Sequence, residues 1–230
     1  MRFRRKSAAA DAPDTAAEAP APEETPVSDA APSVHREGPL DAEDVEDDGV
    51  ERVDLGSLLV PPVPGSELRI QVDERTEQVQ SVVLAGTDGA LELRAFAAPR
   101  HGDLWSEVRP QLAADMARRG GTATEQEGRF GTELQCQLTV KTADGRTGQQ
   151  SSRIVGINGS RWMLRATFLG KPAVDADAAG PWEQALSQLA VRRGSGAMPV
   201  GDPLPVVLPD QARRLGPQEG PTAAPAPEES

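Results

Sequence analysis

Cysteine occurs once in the 230 residues, tyrosine never, histidine twice and lysine three times. One thiol closes no internal disulfide, and no Cys/His cluster reaches zinc spacing. No run of 18 apolar residues exists, so no segment is read as spanning a membrane. A phosphate-cradling glycine loop is also missing: Gly156-Ile157-Asn158-Gly159 lacks the lysine and the following helix that such a loop needs, and reads as a hairpin turn. The sequence therefore offers no catalytic motif, no cofactor fingerprint and no metal ligand set. Every aromatic residue except Phe3 lies between positions 96 and 182, which places the core there.

The net charge of −12 is unevenly spread. Residues 1–54 carry 6 basic and 15 acidic groups, residues 65–193 carry 16 of each, and residues 194–230 carry 2 and 5. A neutral domain flanked by acidic ends makes nucleic acid a poor default partner. Residues 1–54 are rich in Ala, Pro, Asp and Glu and cannot bury enough apolar surface to offset ordering entropy, so they read as a disordered acidic tail. The basic start, Arg2 to Lys6, is followed by no apolar stretch and does not read as a secretory signal. Six of the eight residues from Asp41 to Asp48 are acidic, the pattern of a solvated charge run.

Residues 55–64 read as an apolar strap. Leu55, Leu58, Leu59 and Val63 are costly to leave in water together, which favours docking on the domain. A second extended, proline-rich strap covers 194–215, with Leu204, Val206, Val207 and Leu208 as its apolar payload. Residues 216–230 read as a disordered tail.

Between them, residues 65–193 read as one α+β domain. Leu68, Ile70 and Val72 alternate with polar residues at the strand period, Val79 to Leu84 is a β-branched run, and Asp88-Gly89 turns the chain into a strand over 91–96. A helix follows, with Asp103 as its cap and Gly120-Gly121 as its stop. Pro110 conflicts with its interior, so the helix either starts near Ser106 or kinks. Asp144-Gly145 and Asn158-Gly159 then predict two tight hairpins. Their register places Leu134, Val155 and Trp162 in one row of one apolar face, and Gln137, Ser152 and Arg165 on the other. That register leaves Arg153 on the core face and Ile154 and Met163 on the polar one. A bulge would turn Arg153 outward, or a carboxylate of the first helix, Glu107 or Asp115, would pair with it; a second layer over the polar face would explain Ile154 and Met163. Gly180-Pro181 opens the last helix, with Trp182, Leu186 and Leu189 on one side. The class is α+β: an antiparallel sheet with two helices.

Among polar candidates, His101 would need an orienting carboxylate and a nucleophile to act as a base. Asp103 and Ser106 are near it in sequence, but a loop or capping histidine is the simpler reading. Cys136 reads as a buried, inert thiol. The best remaining pair is Arg161 and Arg165, four strand residues and about 13 Å apart on one face. With Gln137 and Ser152 they form a candidate binding surface, read as solvent-accessible and suited to a phosphate, an acidic peptide or another sheet face.

The run from Arg153 to Arg165, with Asp54-Leu55-Gly56-Ser57-Leu58 and Phe130-Gly131-Thr132-Glu133-Leu134, resembles the actinobacterial domain-of-unknown-function family 3710 over about Asp54 to Pro209. The resemblance brings no catalytic residue. It implies a cytoplasmic protein, and the family's genes often lie near one for a dUTP-hydrolysing enzyme. The element order is similar to the PsbP-like fold, which would cover both sheet faces. The residues favour a non-catalytic binding or adaptor module with a protein partner, and leave room for a small anionic ligand. The alternative is an enzyme or phosphate-binding accessory linked to nucleotide metabolism. A deep pocket beside Arg161 and Arg165 would favour that alternative, a flat face the first reading.

Overall fold

In the computed structural model the described residues are 38–45, 48–73, 75, 79–100, 102–141 and 147–207. The basic start, His35, His101, the Asp144-Gly145 turn, Leu208 and the C-terminal tail lie outside them. The main sheet is antiparallel, with seven strands: β4 (Ser66–Val72), β5 (Val79–Gly86), β6 (Gly89–Ala97), β7 (Thr122–Gly128), β8 (Gly131–Lys141), β9 (Thr147–Asn158) and β10 (Trp162–Gly170). Their spatial order is β4-β5-β6-β10-β9-β8-β7. A smaller sheet joins β1 (Leu40–Asp41), β2 (Val53–Asp54), β3 (Leu58–Val60) and β11 (Ala190–Val191) in the order β1-β11-β3-β2. Two helices complete an α+β fold: α1 (Leu104–Arg118) and α2 (Ala176–Gln188).

Both faces of the main sheet are apolar. Leu91, Leu93, Leu164, Ala166 and Phe168 point to one side, where Trp182, Ala185 and Leu186 of α2 cover them. Leu55, Leu58, Val60 and Val63 join the same core, each 6 % exposed or less. Full burial of a side chain of this size contributes about 1.5–3 kcal/mol. On the other side Leu134, Cys136, Ile154 and Met163 pack under Leu104 and Trp105 of α1. The covering layer thus accounts for Ile154 and Met163.

The predicted hairpin registers shift. Cys136 faces Ser152 rather than Arg153, a slip of one residue that carries Leu134 and Cys136 to the α1 side. Lys141 pairs with Thr147, a register one residue off the one that a two-residue turn at Asp144-Gly145 predicts. At the next hairpin Asn158 faces Met163, and Leu164 faces Ile157. The left-handed residue there is Arg161, at φ 68°, and not the glycine. Gly159 serves another purpose: a Cβ on it would fall 2.0 Å from the Trp162 ring. The expected row of Leu134, Val155 and Trp162 therefore separates, with Val155 facing Ala166 and Trp162 facing Ala97.

The first helix starts at its expected cap, Asp103, so the alternative start near Ser106 is not used, while the second starts upstream of the expected point. Asp103 caps α1, accepting from the Ser106 amide at 3.1 Å, and the helix already begins at Leu104, which leaves Pro110 in its interior. Asp175, not Gly180, caps α2, accepting from the Asp177 amide at 3.0 Å. Pro110 and Pro181 are both exposed, as are Ser106 and Asp177 one turn earlier. Water can therefore reach the carbonyls that each proline leaves without an amide.

Residues 40–45 and 48–54 take part in the fold, although their composition suggests a tail. Leu40 and Asp41 pair in parallel with Ala190 and Val191, and Ala42 and Val45 are buried against Ala190. The indole N–H of Trp162 donates to Asp41 Oδ1 at 2.5 Å. Three apolar contacts and one buried donor are enough to order a stretch that is otherwise acidic. No helix among the described residues is long and apolar enough to cross a membrane.

Trp162 is 1 % exposed, and its replacement by alanine should cost about 3–5 kcal/mol in a denaturant titration. Gly156→Ala should also destabilise, by at least ~2 kcal/mol, because the new Cβ would meet the Trp105 ring at 2.0 Å. Near-UV circular dichroism of the Gly156→Ala protein should lose the Trp105 contribution.

Candidate functional site

A cavity of about 900 Å3 lies where the small sheet meets the turn before β10 and the chain after β11. Its walls carry charges of both signs. Arg52 and Asp48 form a two-pronged pair at 2.8 and 2.6 Å, while Arg52 Nε donates at 2.6 Å to the Gln188 carbonyl at the end of α2. A cation there meets the negative end of the helix dipole. The guanidinium of Arg52 and the amide of Val50, which donates at 3.0 Å, hold the Asp48 carboxyl down to about 2. Arg192 pairs with Asp54 at 3.0 Å and donates to the Gly56 carbonyl at 2.8 Å.

Arg161 and Arg193 line the same cavity without a carboxylate partner among the described residues. The Arg161 carbonyl accepts from the Ala98 amide at 2.9 Å and from Arg193 Nε at 3.1 Å. Arg193 also donates to the Gly196 carbonyl at 3.2 Å. The Arg161 guanidinium makes no hydrogen bond or ion pair among the described residues. Ser160 and Ser195 line this cavity too, as do the acidic Asp41, Glu43 and Asp44.

A second cluster lies under α2. Arg153 Nη2 donates to Glu183 at 2.7 Å, its Nη1 is 3.7 Å from Glu133, and its guanidinium carbon is 4.2 Å from the centre of the Phe168 ring. Its carboxylate partners therefore come from β8 and α2; neither Glu107 nor Asp115 of α1 takes part. Glu133, 2 % exposed in its side chain, accepts from Gln126 Nε2 at 2.8 Å. A cavity of about 370 Å3 opens beside Arg153, Gln126 and Gln135. Removing one member of so buried a set would strand the others in a low-dielectric interior. The cluster reads as a structural tie between sheet and helix.

The four residues of the expected surface are distributed over three places. Arg161 lines the large cavity. Arg165 sits half-buried on the α1 side of the sheet, opposite Arg94 on one neighbouring strand and Gly156 on the other. Ser152 faces Cys136 on that side, whereas Gln137, one residue beyond Cys136, points to the opposite side. Neither arginine is fully exposed, and only Arg161 borders the cavity. Cys136 is buried, and burial raises its thiol above the usual range, as expected for an inert cysteine. Asp103 accepts from the Ser106 hydroxyl, the Ser106 amide and Asn158 Nδ2, which hold its carboxyl below the usual range and commit it to capping. Arg52, Asp54, Arg192 and Arg193 carried no signal in the sequence as site residues. They meet only because β2, β3 and β11 pair across more than 130 residues.

Residues 38–215 match the family described as Protein of unknown function (DUF3710). No curated protein matches the chain. A crystal structure from Bacteroides thetaiotaomicron VPI-5482 aligns at 14 % identity and a TM-score of 0.33 over 63 % of this chain. The alignment covers 52 % of that structure's chain.

Because the Asp48 carboxyl lies at about 2 against an ordinary 3.8, its contribution is fully present above pH 3.8 and is lost as pH falls through about 2. Hydrogen exchange should therefore show residues 48–52 losing protection over that interval. In Asp48→Asn the interval should be flat.

Proposed function

We propose that this chain, which belongs to the DUF3710 family, is a non-catalytic binding module whose large groove receives an anionic group at Arg161 and Arg193. The carrying observation is Arg161. It is the one non-glycine residue with a positive φ among the described residues, and its carbonyl is held from two sides while its guanidinium makes no hydrogen bond or ion pair among them. A left-handed arginine costs about 1–3 kcal/mol, and strain of this kind persists where the surroundings over-determine it. Presenting an unpaired cation to a ligand is a use that accounts for it.

The acidic wall narrows the ligand class. Asp41, Glu43 and Asp44 line the same groove as the arginines, so a polyanion such as nucleic acid would meet repulsion there. A single carboxylate or phosphate beside neutral or basic groups fits both walls, which favours an acidic side chain of a protein partner over a nucleoside triphosphate. A volume of about 900 Å3 is also enough for a small ligand bearing one such group. A cytoplasmic site of action belongs to the same proposal.

Arg161→Gly tests this reading, because glycine adopts the same φ without strain. The variant should fold with unchanged or slightly higher thermal stability, by up to about 1 kcal/mol. Partner capture at low salt should drop several-fold. If Arg161→Gly retains every partner and ligand bound by the wild type, the groove reading fails.

A further inference from the structure

The α1 face of the main sheet holds a second, independent arrangement. Arg94 of β6 and Arg165 of β10 are direct cross-strand partners, so their side chains leave the same face side by side. Both guanidiniums lean on one ring: Arg94 lies 5.7 Å and Arg165 5.6 Å from the centre of Phe96. Neither makes an ion pair or a hydrogen bond among the described residues, and the buried Arg94 Nε has no acceptor. Glu92 acts on Arg165 through its charge without forming an ion pair with it.

Like charges directly opposite each other destabilise a sheet. Here the pair is also half-buried, and burial and the charge of Arg94 push the Arg165 guanidinium below its usual range. Two more deeply buried arginines are neutralised within the fold: Arg52 has Asp48, and Arg153 has Glu183. Arg94 and Arg165 lack that, while two cation–π contacts fix their positions. A local rule broken without compensation inside the fold marks a place where compensation comes from outside it. Gly156, the other neighbour of Arg165, leaves room that the Trp105 ring fills, and so gives the shelf an aromatic wall.

We propose that Arg94 and Arg165 form an anion-binding shelf for a phosphoryl group. A carboxylate has two oxygens and is saturated by one guanidinium fork, whereas a phosphate monoester presents three oxygens and close to two negative charges, enough for both forks at once. The shelf is separate from the groove of Arg161: none of its residues lines that cavity.

The test is thermal unfolding of the full chain at fixed ionic strength, with chloride replaced by inorganic phosphate or by O-phosphoserine. Wild type should gain about 2–4 °C at phosphate concentrations tenfold above Kd, following mass action. Arg165→Gln should lose that gain and, without phosphate, should melt at or above the wild-type temperature, because it removes one of two uncompensated like charges. Arg165→Lys should fold normally and keep less than half of the gain. A gain with both probes identifies a monoester site, and a gain with inorganic phosphate alone a free-phosphate site. The proposal is overturned if wild type shows no gain, if Arg165→Gln keeps it, or if Arg165→Gln melts more than about 5 °C lower without phosphate. Arg161→Gly should keep the full gain, which separates failure of the shelf from failure of the groove.

Discussion

Two tryptophan rings lie against glycine backbone at the end of β9, and the layers depend on that closeness. Trp105 covers Gly156 from the α1 side, and Trp162 covers Gly159 from the α2 side. Each ring is also tied by its indole N–H, Trp105 to the Thr132 carbonyl at 2.7 Å and Trp162 to Asp41 at 2.5 Å. A large apolar surface with one polar tip fits such a position, because burial drives it inward and the hydrogen bond fixes its angle. The first tie joins a helix to the sheet. The second joins the sheet to the N-terminal segment, and through it to the small sheet and the groove.

Arginine is abundant in this chain, so its distribution carries more information than its number. Most buried guanidiniums end on a carboxylate or a carbonyl: Arg52 on Asp48 and Gln188, Arg153 on Glu183, and Arg193 on two carbonyl oxygens. These are packing elements, with long stems covering apolar surface and forks satisfying main-chain acceptors. Arg94, Arg161 and Arg165 stand apart. Two of them share one ring, and the third occupies a backbone conformation that arginine seldom takes.

Much of the fold was legible because it rests on short-range patterns. Alternation marked β4, β6, β8 and β10, and Asp103 marked the start of α1 by its capping chemistry. The register failed where glycine was read as a turn former. Gly159 is required by the tryptophan above it, and the turn bends at Arg161 instead. The one-residue slip between β8 and β9 arises because a two-residue turn at Asp144-Gly145 pairs Cys136 with Arg153, whereas Cys136 pairs with Ser152. β7 has almost no apolar residues, since it is an edge strand lying largely in solvent, and so gave little periodic signal. Of the candidate residues, Arg161 and Arg165 reach distinctive positions. Their partners could not be read, because Arg94 and Arg193 approach them only through long-range pairing.

The parallel pairing of Leu40 with Ala190 joins positions 150 residues apart. During synthesis the N-terminal segment therefore has no template until nearly the whole domain has left the ribosome. At ordinary translation rates of about 5–20 residues per second, that is a delay of roughly 7–30 s. For this interval β3, with Leu58 and Val60, lacks its β11 partner, and the stretch that precedes it is acidic, a composition that discourages association between chains. The negative charge of this stretch thus has a use before the protein is finished as well as after.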